Sequence, residues 1–174
     1  MVILRPTRKL ASQLPTNSKL PEQSDTALGD WYVKKLVVDR QPLLLLVCSK
    51  ALLQMVTLAR DVRGLPSRLA DLVAVRLARL RVPGPTVEAE IRAMTPVVVS
   101  PTIDRSVLGI LVDFAKVVPY HLEGVQIGAG SLRALEDHLA ETPCHASLSH
   151  ERVVFPDIKA PELLRAKSGW LTSA

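Results

Sequence analysis

A chain of 174 residues with a formal net charge of +5 and 48% hydrophobic residues has the length and apolar supply of one compact core, which excludes a disordered tail. Its apolar runs stop short of the ~20 residues that cross a bilayer, and its start places basic side chains after a very short apolar stretch, the reverse of a secretory signal. Aromatic residues make up 3% of the chain, a poor supply for an RNA module that stacks bases, and two cysteines are too few for a disulfide framework.

The opening VILRP reads as a short strand and TRKLASQL as a helix, with Thr7 at its N-cap, Leu10 and Leu14 on one face, and Pro15 stopping it. Residues 15–30 are rich in turn formers and read as a surface loop. WYVKKLVVDRQPLLLLVC then gives two β-rich runs around Asp39, Arg40, Gln41 and Pro42, a hairpin signal, and LLQMVTL extends the sheet as a third strand. The continuous apolar run from Leu43 to Val47 implies a strand covered on both faces, and Cys48 beside it reads as a small core side chain, which fits a reducing cytoplasm.

GLPSRLADLVAVRLARLRVP predicts a helix from near Pro66 to Pro83, with Leu69, Leu72, Val73, Leu77 and Leu80 as its apolar stripe. PTVEAEIRAM predicts a shorter helix, capped by Thr86, with Glu88 and Glu90 near the positive end of its dipole. PVVVS is a strand between prolines. A long helix runs from Asp104 to about Val118, and SLRALEDHLAE gives another with Ser131 at its N-cap. From Cys144 onward the pattern is poor, with a short helix at PELLRAK.

Four stretches in this order, LGDWY at 28–32, RQPLLL at 40–45, DRSVLG with a following DF at 104–114, and LAETPC at 139–144, together resemble a bacterial family of small proteins catalogued only as a domain of unknown function. The resemblance runs from near residue 1 to about 145. It departs from the expected pattern where Ile110, Leu111 and Val112 replace a small polar segment. The resemblance implies a bacterial, cytoplasmic setting and assigns no activity.

Candidate chemistry starts on the helix from Asp104. Arg105, Gly109, Asp113 and Lys116 fall on one side of it, while Val107, Leu108, Ile110, Leu111, Phe114 and Val117 cover most of the rest. One reading is a shallow ligand site floored by Gly109, where Arg105, Ser106 and the N–H groups of the first turn form an anion cradle. The plainer reading is that Asp104 caps the helix, Gly109 admits a neighbouring element and Asp113 pairs with a lysine. Asp30, Trp31 and Tyr32 form a second candidate, a ligand wall with Asp30 as general base, against a capped turn followed by core aromatics.

His138, Cys144, His145 and His150 lie close in sequence, but they lack the paired donors that zinc sites use, so neither a metal nor a cofactor is expected. Ser106, His121 and an aspartate form no recognisable triad, and GxSxG, P-loop and GxGxxG signatures are missing from the sequence. Arg5, Arg8, Lys9 and Lys19, with Arg68, Arg76, Arg79 and Arg81, are either a phosphate-binding face or ordinary solvated helix faces.

These features predict an α+β fold in one domain, in which a small, mainly antiparallel sheet is covered by four or five helices. The compact part is expected over 1–145, with an irregular C-terminal extension over 146–174. The expected role is non-catalytic binding, as a bacterial accessory or regulatory protein. Its partner would be another protein or a second copy, with nucleic acid less favoured and no membrane contact. The rival expectation is a small hydrolase or nuclease with a polar site around Asp30, Arg105 and Asp113.

Overall fold

The most apolar stretch of the chain becomes the inside of its sheet. In the computed structural model, which describes residues 1–15, 23–145 and 153–169, Leu43 through Cys48 are all buried. They lie on β3 (Gln41–Cys48), hydrogen-bonded on one side to β2 (Trp31–Val38) and on the other to β4 (Gln54–Leu58), both antiparallel. Side chains alternate along a strand, so Leu44, Leu46 and Cys48 enter one core and Leu43, Leu45 and Val47 the other. The β2–β3 turn is only Asp39 and Arg40, both at positive φ (47° and 67°), as a two-residue hairpin that follows the strand twist requires. Gln41 and Pro42 belong to the ladder rather than to the turn. Pro42 is tolerated because its carbonyl accepts the Ala59 N–H at 2.9 Å on the last rung, where its own missing N–H costs little.

β1 (Val2–Pro6) lies inside the sheet, parallel to β2 on one side and to β5 (Val97–Val99) on the other, giving the order β4-β3-β2-β1-β5. The antiparallel ladders are the longer ones, so this α+β sheet is mainly antiparallel by paired residues. One face is covered by α1 (Arg8–Ala11), α2 (Leu65–Arg79), α3 (Gly84–Ala93) and α6 (Pro156–Ser168), through residues such as Leu10, Leu69, Leu77 and Leu164. The other face is covered by α4 (Arg105–Leu122) and α5 (Ala129–Ala140).

Several elements differ from the sequence expectation, among them α5, which starts at Ala129 and so holds Ser131 inside it rather than at its N-cap. α1 is a single turn, because Ser12 and the residues after it leave the helix well before Pro15. Thr86 sits inside α3 and is buried, the helix having started two residues earlier at Gly84. The helix expected at PELLRAK starts five residues earlier, at Pro156, and ends at Ser168: Ala160 and Leu164, one turn apart, fill the core beside α3. Its stripe is only two buried aliphatic residues wide and is crossed by Pro161, which hid its first turn.

α4 continues past Pro119, whose ring faces solvent, and buries Val107, Leu111, Phe114, Val118 and Leu122. Leu111 is fully buried and Arg105 is exposed. Leu111→Ala is therefore expected to cost about 2–5 kcal/mol in a denaturant melt, and Arg105→Ala less than about 1. Equal losses would mean that these faces are wrongly assigned.

Candidate functional site

Where β1 passes under the start of α4, a charged residue is enclosed. Arg5 follows Leu4 on β1 and so projects to the α4 side of the sheet, where it is 2% exposed. A buried guanidinium has to be paired. Its Nε forms an ion pair with Asp30, and its Nη1 donates to the Pro101 carbonyl at 2.6 Å, in the segment leading into α4. Asp30 also accepts from Ser24 Oγ at 2.6 Å, while its backbone N–H donates to Ser49 Oγ at 2.9 Å. The preceding Gly29 has φ +78°, and a Cβ there would collide with the same Ser49 hydroxyl. Glycine is thus required on two counts to aim Asp30 at Arg5.

Two residues along β2, Tyr32 lies on the same face as Asp30 and its Oη accepts the Asp104 N–H at 3.2 Å. Burial pushes the Tyr32 phenol up, with the hydrogen bond from the Asp104 backbone opposing that shift. Asp104 in turn caps α4, accepting from the N–H groups of Ser106 at 2.8 Å and Val107 at 3.4 Å. The predicted residues Asp30 and Tyr32 and the Ser106 end of α4 therefore do come together. Trp31 does not join them: it points to the opposite face, into the core beside α2.

Along α4, Gly109 is exposed with open space where a Cβ would be, so no neighbouring element approaches it among the described residues. Asp113 pairs with Lys116 at 3.1 Å on the solvent side, and both are exposed. The anion cradle at the start of α4 is filled by the carboxylate of Asp104, and Asp30 is engaged by Arg5 and Ser24. The histidines are likewise scattered. His138 lies against His121, ring centres 4.3 Å apart. Cys144 is tied through its backbone to Val154, with its thiol pushed up to about 11 by burial. His150 lies outside the described residues. Among the described residues no three of His, Cys, Asp and Glu group around a common point.

A second polar network lies at the opposite edge of the sheet. Arg76 on α2 is 1% exposed. Its Nε donates to the Gln54 carbonyl at 3.1 Å, its Nη2 to the Glu136 carbonyl at 2.9 Å and its Nη1 to Asp137 at 2.8 Å. Arg79 adds ion pairs to Glu136 and Asp137, and Glu136 Oε1 accepts the Val56 N–H at 2.7 Å. Burial pulls the Arg76 guanidinium down from its usual value, against the pull of its acidic neighbours. For Asp137, burial alone would raise the carboxyl, but hydrogen bonds from Arg79 and Arg76 outweigh it and hold it below the usual range. Beside this network, between α2 and α5, a groove of about 380 Å³ runs along β4 from Met55 to Leu58.

Residues 3–159 match the family described as Domain of unknown function (DUF6933). The chain belongs to this family. The DUF6933 match takes in the sheet from Ile3 onward and reaches the first turn of α6, so both polar networks lie within it. No curated protein matches the chain.

In this DUF6933 domain, sequence reasoning missed the buried charges Glu90, Arg76 and Glu136. Each carried one usable signal: it stands in an apolar stripe. Arg76 follows Leu69 by seven residues and Val73 by three; Glu90 lies among Val87, Ile91 and Met94; Glu136 sits between Leu132, Leu135 and Leu139. A charge at such a position is buried and therefore paired. Both alternatives for Arg68, Arg76, Arg79 and Arg81, a phosphate-binding face and ordinary solvated helix faces, overlooked this register, since Arg76 and Arg79 turn inward onto α5.

Proposed function

We propose that the protein is a non-catalytic binding protein, a bacterial accessory or regulatory factor of the cytoplasm that works by docking another protein. The observation that carries this reading is how the polar groups of the predicted site are used. Asp30 is bound to Arg5 and Ser24, Asp104 to its own helix and Asp113 to Lys116. Acid–base or nucleophilic catalysis needs a group presented to substrate with a proton to give or take. Here each carboxylate is engaged by its own cation, hydroxyl or backbone N–H groups.

The cytoplasmic setting is supported by Cys48 and Cys144, both free and buried, with burial pushing the Cys48 thiol up to about 12. Such thiols persist best in a reducing compartment. Protein rather than RNA is favoured as partner because Arg76 and Arg79 are consumed in ion pairs, and because the large exposed aromatics among the described residues are only Tyr120 and Phe155.

The test is paired. Purified protein is screened with generic ester, phosphate-ester and nucleic-acid substrates, alongside Arg105→Ala and Asp113→Asn, exposed substitutions that leave the fold intact. In parallel, a tagged copy expressed at native level is crosslinked and purified. No turnover, together with a protein recovered in fixed stoichiometry, is the expected result. Turnover that either substitution abolishes would establish the hydrolase or nuclease reading instead.

A further inference from the structure

β4 is an edge strand, and an edge strand carries a row of outward N–H and C=O groups. The alternation of the β3–β4 ladder, fixed by Cys48 N–H to the Leu53 carbonyl and Ala59 N–H to the Pro42 carbonyl, turns Met55 and Thr57 toward β3. Gln54, Val56 and Leu58 therefore turn outward. Two of their groups are covered: Arg76 holds the Gln54 carbonyl and Glu136 holds the Val56 N–H. Among the described residues, the Val56 carbonyl and both backbone groups of Leu58 have no protein partner.

Those open groups form the floor of the groove between α2 and α5. Its apolar lining includes Met55, Leu72, Leu132 and Val75, and Val75 is 53% exposed. Four arginines line it, Arg68, Arg76, Arg79 and Arg133, against two acids, Asp71 and Glu136. Arg76 and Arg79 are neutralised by Glu136 and Asp137. Arg68, on the α2 side, and Arg133, on the α5 side, have no acidic partner among the described residues, and the Nε of Arg68 is buried without a hydrogen bond.

We infer that this groove receives an extended acidic segment of a partner protein, which adds to the sheet as a strand beside Val56–Leu58. This deepens the binding reading above and rests on it. Main-chain hydrogen bonds to Val56 and Leu58 hold the segment, apolar side chains fill the groove, and carboxylates reach Arg68 on one face and Arg133 on the other. Successive side chains of a strand point to opposite faces, so the two acids it needs stand an odd number of residues apart. A second copy of this chain fits worse, because each copy would bring the same unneutralised arginines to the contact. Nucleic acid fits worse too, since among the described residues no aromatic side chain lines the groove for bases to stack on.

The experiment selects binders from a phage-displayed library of random twelve-residue peptides against the intact protein. The selected peptides are then measured by fluorescence anisotropy with wild type, with Arg68→Glu/Arg133→Glu and with Val75→Glu. Enrichment of apolar sequences that carry two Asp or Glu residues an odd number of positions apart is expected. Their affinity should fall at least tenfold in either variant, and similarly when the peptide is N-methylated at alternate backbone positions. Neutral or basic consensus sequences, or peptides that bind both variants as well as wild type, would overturn the inference.

Two further probes separate the other occupants. A twelve-nucleotide RNA that binds with the same arginine dependence while peptides do not, or self-association in sedimentation that Val75→Glu abolishes, overturns it in favour of nucleic acid or a second copy. If the crosslinked partner of the native-level experiment is retained by Arg68→Glu/Arg133→Glu, the groove assignment fails while the binding reading stands.

Discussion

Arg76→Ala is expected to lower the unfolding free energy by about 3–5 kcal/mol, the cost of breaking a buried ionic network from one side. The guanidinium alone reaches β4, the backbone of α5 and the Asp137 carboxylate. Its removal leaves the Gln54 and Glu136 carbonyls facing a void and leaves the buried Glu136 carboxylate with only Arg79 to balance it. Lysine should recover little, because one ammonium on a flexible stem cannot supply three donors in fixed directions. Arg79→Ala should cost less, since Arg79 is 20% exposed and water can enter after it. Guanidinium melts of the three variants, with Arg105→Ala as an exposed control, decide the matter. If Arg76→Ala melts with that control, the network contributes nothing to the fold.

Glu90→Ala should cost about 3 kcal/mol, from the loss of two charge-assisted hydrogen bonds and the burial of two donors left unmade. The Glu90 carboxylate is 3% exposed and accepts the N–H groups of Ala27 at 2.8 Å and Leu28 at 3.0 Å. It thereby fixes from α3 the loop that carries Gly29 and Asp30. Glu90→Gln keeps the size and one acceptor, so it should lose roughly half as much. The diagnostic readout is local: hydrogen exchange at the Ala27 and Leu28 amides should accelerate in Glu90→Ala more than at β3. Losses no larger than those of the exposed Glu88→Ala would show that another group holds the loop.

The parts of the fold that were legible in the sequence are those set by short-range pattern. The run Leu43–Val47 announced a doubly covered strand, Asp39 and Arg40 sat in the announced turn, and the stripe of α2 was read with its buried members Leu69, Val73 and Leu77. What escaped depends on contacts distant in sequence. That β1 pairs in parallel with both β2 and β5 is invisible in three short apolar strands whose patterns fit either direction. The pairing of Asp30 with Arg5 joins a loop to a strand about 25 residues away. In the predicted site, the aspartate, the tyrosine and the start of α4 were singled out by residue type, but their partners Arg5, Ser24 and Ser49 carry no local signal. Groove formation at β4 is harder still to read, because it needs the strand order and the placement of two helices at once.

The central position of β1 sets an order on the birth of the molecule. Residues 31–58 form a meander of neighbouring hairpins that close over short loops as soon as they leave the ribosome. β1 leaves earlier still, yet one flank of it stays unpaired until Val97–Val99 are synthesised, about 95 residues behind Val2. At roughly 5–20 residues per second, Val2, Ile3 and Leu4 wait on the order of 5–20 s with one backbone edge unpaired. In the finished protein these three are 0% exposed. Anything that slows translation between β4 and β5 thus lengthens the interval in which that unpaired edge can meet a chaperone or another nascent chain.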